Sequence, residues 1–265
     1  MKKDDTVRLF KKVAVYTISR KTLGRAFNVA CRSRLSRMFI KPYIRLYKID
    51  RKEIRHPSAY KSLTDFFVRD IDPGLRPIAN GRNIIVSPVD GTIADLGFAQ
   101  GKKIILAKKN FYSLAELLAC PNVDSLQDCY YMNIYLSPRN YHRIHMPFPA
   151  QVIHHQYVPG QVFPVNKLGV STVKDLFAKN RRTCTIFETK GGAKFALIKV
   201  GALGVGKIIS SYHVGEKIPK GKEIGRFEFG STVILIFQKD LFKPSKFLTV
   251  NQQIKMGQKI GSFLE

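Results

Sequence analysis

From residue 83 to the C terminus the chain is a succession of short apolar or alternating runs punctuated by Gly and Pro. Strands this short and this closely spaced build a sandwich or a barrel, not the strand–helix alternation of a parallel sheet. The most constraining run is Val233–Phe237, unbroken and β-rich, which reads as a buried strand. Arg226 to Phe229 alternates polar and apolar and also reads as strand. Between the two lies Gly230-Ser231-Thr232. Gly230 has no Cβ, so its backbone can take conformations closed to other residues. The tripeptide is therefore either a turn or a serine bent back on the carbonyl before it. Choosing between them needs partners elsewhere in the chain.

The same pattern predicts strands over Ile104 to Ala107, Tyr130 to Leu136, Ala150 to Tyr157 and Val162 to Val165. It predicts a hairpin of Thr183 to Glu188 with Lys194 to Val200, and another of Asn83 to Ser87 with Thr92 to Leu96 across Pro88-Val89-Asp90-Gly91. Ser113 to Cys120 reads as one short helix. Gly221-Lys-Glu-Ile-Gly-Arg-Phe227 recurs as Gly257-Gln-Lys-Ile-Gly-Ser-Phe263, each a turn feeding a strand. Two such copies look like the hairpins of barrel-sandwich domains. The expected class is α+β, mostly β, with a barrel-sandwich-like core and N-terminal amphipathic helices.

Residues 1–58 form a separate, basic region, and 59–265 the β-rich body. Seventeen Lys and Arg but only four acidic residues fall in 1–55, against a net charge of +26 for all 265 residues. Leu23, Phe27, Ala30, Leu35, Met38 and Phe39 recur at helical spacing, with Lys21, Arg25, Arg32 and Arg37 on other faces, and Pro42 closes that helix. An earlier helix covers Val7 to Ser19. Basic amphipathic helices of this kind lie in a membrane interface, pack on the body, or hold nucleic acid. Aromatic and Gly interleaving of the single-strand binders is missing, which argues against nucleic acid. No apolar run reaches the ~20 residues needed to span a bilayer, and no signal peptide is apparent. Ser62-Leu-Thr-Asp65 reads as a helix start with Ser62 as N-cap and Asp65 at the spacing of a capping box. Cys31, Cys120, Cys129 and Cys184 are scattered, which argues against a zinc site and a disulfide framework and for a reduced setting.

Gly201 to Lys207 fits G-x-x-x-x-G-K, but Ile208 stands where a phosphate-binding loop needs Ser or Thr. His142 and His145 sit in a polar stretch between strands without a nearby third ligand. His154 and His155 point to opposite faces of a strand. No metal is expected. Asp90 precedes Gly91 and reads as a turn residue or as a carboxylate orienting a histidine. With a loop histidine and Ser231 it would complete an Asp-His-Ser set.

Pro88-Val-Asp-Gly91, Tyr141-His-Arg-Ile-His-Met-Pro147, Phe163-Pro-Val-Asn166 and Phe229-Gly-Ser-Thr232 occur in the order and rough spacing of bacterial phosphatidylserine decarboxylase proenzymes. Ser62-Leu-Thr-Asp-Phe-Phe-Val-Arg69 resembles that family's early helix. The resemblance runs from about residue 60 to the C terminus. Phe229 departs from it, since many members carry Leu there.

The resemblance implies a self-made cofactor. Ser231 Oγ attacks the Gly230 carbonyl, helped by strain at Gly230, and β-elimination and hydrolysis leave a pyruvoyl group at residue 231. The products are a β chain, 1–230, and an α chain, 231–265. His145 is implied as the base for Ser231, with Asp90 orienting it. His142 is implied to bind the substrate carboxylate or reprotonate the carbanion, and Phe163 and Asn166 to line the pocket. Phosphatidylserine would form a Schiff base with the pyruvoyl carbonyl and lose CO2 to give phosphatidylethanolamine. The implied setting is the cytoplasmic side of the cell membrane, bound peripherally to anionic lipid, as a homodimer without metal. Two other readings remain open. A binding module would keep the chain whole, and a pyruvoyl enzyme for a soluble amino acid would not need the basic segment.

Overall fold

The computed structural model describes residues 13, 15–17, 19, 21–99, 101, 103–106, 110–120, 124–204 and 207–264. Most of the helix expected over Val7 to Ser19, and Val205 and Gly206 of the G-x-x-x-x-G-K stretch, lie outside them.

The apolar run becomes strand β13 (Ser231–Gln238), and it is central. It pairs antiparallel with β5 (Cys129–Leu136) on one side and β9 (Lys194–Gly201) on the other. One face packs Val233, Leu235 and Phe237 into a core with Ile144, Ile224, Phe227 and Ile260. The other packs Ile234 and Ile236 against a second core containing Leu114, Leu117, Leu118, Leu176 and Phe177. Burial on both faces is why the run does not alternate.

The large sheet has the order β11-β7-β8-β9-β13-β5-β2-β15, and its two halves mirror each other. Strand β2 (Gly91–Phe98) pairs with β5 and breaks register after Ile93. Strand β7 (Ala150–Val158) pairs with β8 (Arg182–Glu188) and breaks register after Val152. At the edges β15 (Gln253–Ile254) meets the start of β2, and β11 (Lys217–Ile218) meets the start of β7. Two three-stranded sheets match as well: β1 (Ile84–Val86) with β16 (Lys259–Phe263) and β14 (Phe242–Pro244), and β6 (Arg143–His145) with β12 (Glu223–Phe227) and β10 (Ile208–Ser210). Leu197 faces Leu235 at the pseudo-twofold. Across it, His145 N–H donates to Pro88 O at 2.8 Å and Val86 N–H to Pro147 O at 3.1 Å. The G-x-x-I-G-x-F echo is the sequence trace of this duplication. Gly221 (φ +82°) and Gly257 (φ +87°) open equivalent turns, donating to Met146 O and Ser87 O. The sheets pack on one another without closing into a barrel.

One copy is nested in the other. Strands β6 to β12 form one unit, inserted between β5 and β13 of the other. In the inserted copy, β8 and β9 are joined by the short turn of residues 189–193. In the host the corresponding turn is replaced by residues 137–230, so Leu136 and Ser231, directly paired, flank the insertion.

The outer face of the sheet carries the hairpin of β3 (Lys103–Leu106) and β4 (Asn110–Ser113) and three short helices. The N-terminal segment contributes helices α1 (Lys21–Arg32) and α2 (Ile40–Tyr47), joined by a 3-10 turn, and α3 (Leu63–Phe67) follows. With Phe229 they form a third apolar cluster through Cys31, Ile40, Tyr60, Leu63, Phe66 and Phe67.

Four local expectations are corrected. Pro42 does not close a helix: it lies in the first turn of α2, where a missing N–H costs nothing. Ser62 Oγ caps α3 by accepting from Asp65 N–H at 3.1 Å, but Asp65 accepts from Lys61 N–H rather than from Ser62. The residues either side of Asp90 are no hairpin, because β1 pairs with β16 and β2 with β5. Val162 to Val165 is not a strand. Asn180 takes both backbone groups of Phe163, accepting its N–H at 3.0 Å and donating to its carbonyl at 2.8 Å, and Pro164 has no N–H to offer.

Leu235→Ala should destabilise the protein by about 2–5 kcal/mol, since Leu235 is fully buried in the central strand. Urea unfolding of the variant beside the parent checks this.

Candidate active site

Phe229, Gly230 and Ser231 join the end of β12 to the start of β13, at the seam where the inserted copy returns to its host. Tyr141, His142 and His145 lie just beyond the other end of that seam, after β5. Because Leu136 and Ser231 are directly opposed across β5 and β13, the two motifs approach each other although far apart in sequence, and Phe227 N–H donates to His142 O at 3.2 Å.

Ser231 is fully buried, and its Oγ has no hydrogen-bond partner among the described residues. A buried hydroxyl left unpaired costs about 1–3 kcal/mol, so its retention calls for a reason. The sharp backbone feature is at Phe229, with φ +153°, a region rarely adopted by a residue with a side chain. Gly230, where strain was expected, is not in the positive-φ region, and a Cβ there would meet only Leu203 O at 3.6 Å.

His142 is fully buried, and its Nδ1 lies 2.8 Å from Asn140 O. That carbonyl can only accept, so Nδ1 carries the proton and Nε2 presents a lone pair. Nε2 is buried without a partner among the described residues, like Ser231 Oγ. Burial pushes the His142 pKa down to about 3. Its ring lies against Phe67 at 4.0 Å, and Phe67 against Phe229 at 4.5 Å.

His145 is engaged on both nitrogens. Nδ1 is 2.8 Å from Gly221 O and Nε2 2.9 Å from the Tyr141 hydroxyl. By the same argument Nδ1 donates and the phenol donates to Nε2. Burial lowers the His145 pKa, opposed by the Gly221 hydrogen bond and the charges of Glu223 and Asp90. Burial raises that of Tyr141, keeping its proton in place.

Asp90 forms no hydrogen bond with His145. Its Oδ1 accepts from Arg76 Nε and from Met256 N–H, each at 2.8 Å, and its Oδ2 pairs with Arg76 Nη2. Arg76 also pairs with Glu53, which lies 3.4 Å from Arg69. Neither Arg76 nor Tyr141 was singled out from the sequence. Arg76 carries no local signal, since its role appears only when residues far apart in sequence meet. Tyr141 lay inside the motif as a neighbour of His142, without a spacing that predicts its bond.

Two cavities meet the segment 230–232. One of about 940 Å³ is lined by Phe27, Leu35, Leu46, Phe67, Phe229 and Gly230 among others, and is almost wholly apolar. The other, about 770 Å³, is lined by Asp95, Asn133, Tyr135, Asn166, Lys167 and Thr232 among others. Asn166 thus reaches a cavity beside Thr232, while its Oδ1 caps a short helix through Leu168 and Gly169 N–H, both at 3.1 Å. Phe163 is buried in the core and packs on Tyr16 at 5.0 Å. No group of three or more His, Cys, Asp or Glu residues suited to a metal occurs among the described residues.

The phosphatidylserine decarboxylase family profile matches residues 63–262. The chain belongs to that family. Proteins named phosphatidylserine decarboxylase proenzyme are similar along nearly all of it. The one from Brevibacillus brevis is 37% identical, covering 94% of this chain and 96% of its own length. That from Anoxybacillus flavithermus is 39% identical over 87% of each. That from Geobacillus kaustophilus is 36% identical over 97% and 96%. The family is one of carboxy-lyases made as proenzymes, which makes this chain a decarboxylase.

Because His142 is held neutral, an unfolded chain that charges it below about pH 6.5 gains a proton the native state refuses. Its contribution to stability is therefore present above about pH 6.5 and is lost as pH falls toward 3, at about 1.4 kcal/mol per pH unit. His142→Asn in a Ser231→Ala background should lose less stability than Ser231→Ala alone between about pH 6.5 and about pH 5. Urea midpoints at the two pH values check this.

Proposed function

We propose that this chain is a self-processing decarboxylase of phosphatidylserine that works at a membrane surface. The observation that carries the reading is the buried, unpartnered Ser231 hydroxyl directly after Gly230, which opens on an apolar cavity. The relatives' names supply the substrate.

Self-processing begins with Ser231 Oγ on the Gly230 carbonyl carbon. The serine proton goes to a base, and the peptide bond becomes an ester as the nitrogen is freed. Removal of the Ser231 α-proton expels the Gly230 carboxylate and leaves dehydroalanine. Water then replaces its nitrogen, releasing ammonia and leaving pyruvoyl. The surroundings suit the group: residue 231 is buried, and Gly230 opens on a cavity. Formed there, a pyruvoyl group would supply an electrophilic carbonyl for the substrate amine and a sink for the electrons released with CO2.

His145 is proposed as the processing base, exchanging its Tyr141 hydroxyl for that of Ser231. Asp90 acts on it through charge rather than a direct bond. His142 Nε2, neutral and unpartnered, is proposed to meet the substrate carboxylate or return the proton to the α-carbon. Asn166, on the more polar cavity, and Phe163 are proposed to shape the headgroup site.

The basic N-terminal segment is proposed to seat the protein on anionic lipid from the cytoplasmic side. Val29, Leu35, Met38, Phe39 and Leu46 are exposed there among Lys and Arg side chains. Each such cation near an anionic surface contributes about 1 kcal/mol. No helix among the described residues is long and apolar enough to cross a membrane.

Denaturing mass measurement should find two fragments divided between residues 230 and 231, the smaller blocked by pyruvoyl, and a single chain for Ser231→Ala. A wild-type chain that stays whole would sink the proposal. His145→Ala should stay uncut, and His142→Ala should be cut yet fail to release CO2. The reverse outcome would exchange their roles. Met38→Ser with Val29→Ser should weaken sedimentation with phosphatidylglycerol-containing vesicles several-fold while leaving cleavage unchanged.

A further inference from the structure

Helix α1 touches the cleavage segment directly. The Phe27 ring meets the Phe229 ring at 5.5 Å, with the planes inclined by 67°. It also fills the space beside Gly204, where an added Cβ would come within 3.3 Å of it. From the other side Phe67 packs on Phe229 at 4.5 Å and on His142 at 4.0 Å. Phe27, Phe229, Phe67 and His142 are thus one continuous row of rings. One residue earlier, the Glu228 carboxylate pairs with the Arg32 guanidinium at the end of α1. The Glu228 side chain is only 14% exposed, so this pair is partly shielded from solvent. Between these two grips lies the backbone at Phe229 with φ +153°. A conformation so rarely populated persists only where its surroundings hold it.

We propose that Phe27 and Arg32 are positioning residues for self-cleavage. They fix Glu228 and Phe229 so that the Gly230 carbonyl carbon is presented to Ser231 Oγ. The inference rests on the self-processing reading above and adds no chemical step to it. It gives α1 two roles. Its outer surface exposes Leu23 and Val29, and its inner contacts hold the bond to be cut. A chain whose first helix is not seated would keep the bond intact.

The test follows precursor freshly made by cell-free translation, with cleavage timed by intact mass. Phe27→Ala and Arg32→Glu should each slow cleavage by tenfold or more. Arg32→Glu combined with Glu228→Arg should recover most of the lost rate, which a general loss of folding would not allow. Once cut, the Arg32→Glu protein should release CO2 from substrate in detergent micelles at close to the wild-type kcat, because Arg32 lines neither cavity. In a Ser231→Ala background the Arg32→Glu change should leave the melting temperature within a few degrees. Wild-type cleavage matched by equal rates in the variants would overturn the positioning role alone. So would slowing that the charge exchange fails to relieve. A wild-type chain that never cuts would instead overturn the self-processing reading beneath it.

Discussion

The pairing of Leu136 with Ser231 is the constraint on which the rest of the molecule turns. Antiparallel partners at the ends of two strands must lie side by side. Here those ends are not joined by a turn but by a whole folded unit, residues 137–230. The chain leaves the host sheet at Leu136, builds a second copy of the same architecture and returns at Ser231. Whatever immediately follows the departure must lie near whatever precedes the return. That is how His142 comes to accept from Phe227 N–H and to lie, through Phe67, against Phe229.

A buried polar network links this seam to the N-terminal segment. Arg76 joins Asp90 to Glu53, and Arg69 reaches Glu53 and donates to Arg139 O at 3.1 Å. Removing one member would strand the others in a low-dielectric interior, a loss of about 3–5 kcal/mol. Such a network specifies geometry more than it adds stability. It ties the approach to α3, the turn before β1 and the Asp90 link into one arrangement, and its Asp90 charge favours the protonated form of His145.

Much of the body was legible in the sequence because its strands are buried and its turns need glycine. The run from Val233 to Phe237 announced the central strand, and the repeated G-x-x-I-G-x-F announced two equivalent turns, though not the expected hairpins, because β11 and β12, like β15 and β16, pair with other strands. What stayed hidden depends on partners distant in sequence. Asp90-Gly91 has the chemistry of a hairpin turn, yet its carboxylate is claimed by Arg76 and Met256, and the strands beside it pair elsewhere. Val162 to Val165 has strand composition, but one buried Asn180 side chain satisfies the backbone that a neighbouring strand would have served. At the site, residue types and order were readable from resemblance. The hydroxyl on His145, the free lone pair of His142 and the displaced backbone at Phe229 required coordinates.

The nesting gives residues 231–265 an unusual share of the structure. They supply the central strand of the large sheet, its β15 edge, and two of the three strands in the small sheet that holds β1. Scission at residue 230 would therefore turn one chain into an obligate two-chain complex whose interface is its own hydrophobic interior. The pieces could not drift apart without unfolding. Nor, once unfolded, could they readily reassemble, because the tether that threaded β13 between β5 and β9 would be gone. Folding and maturation would then run in one direction only, and the mature protein would owe its persistence to a barrier it crossed while still a single chain.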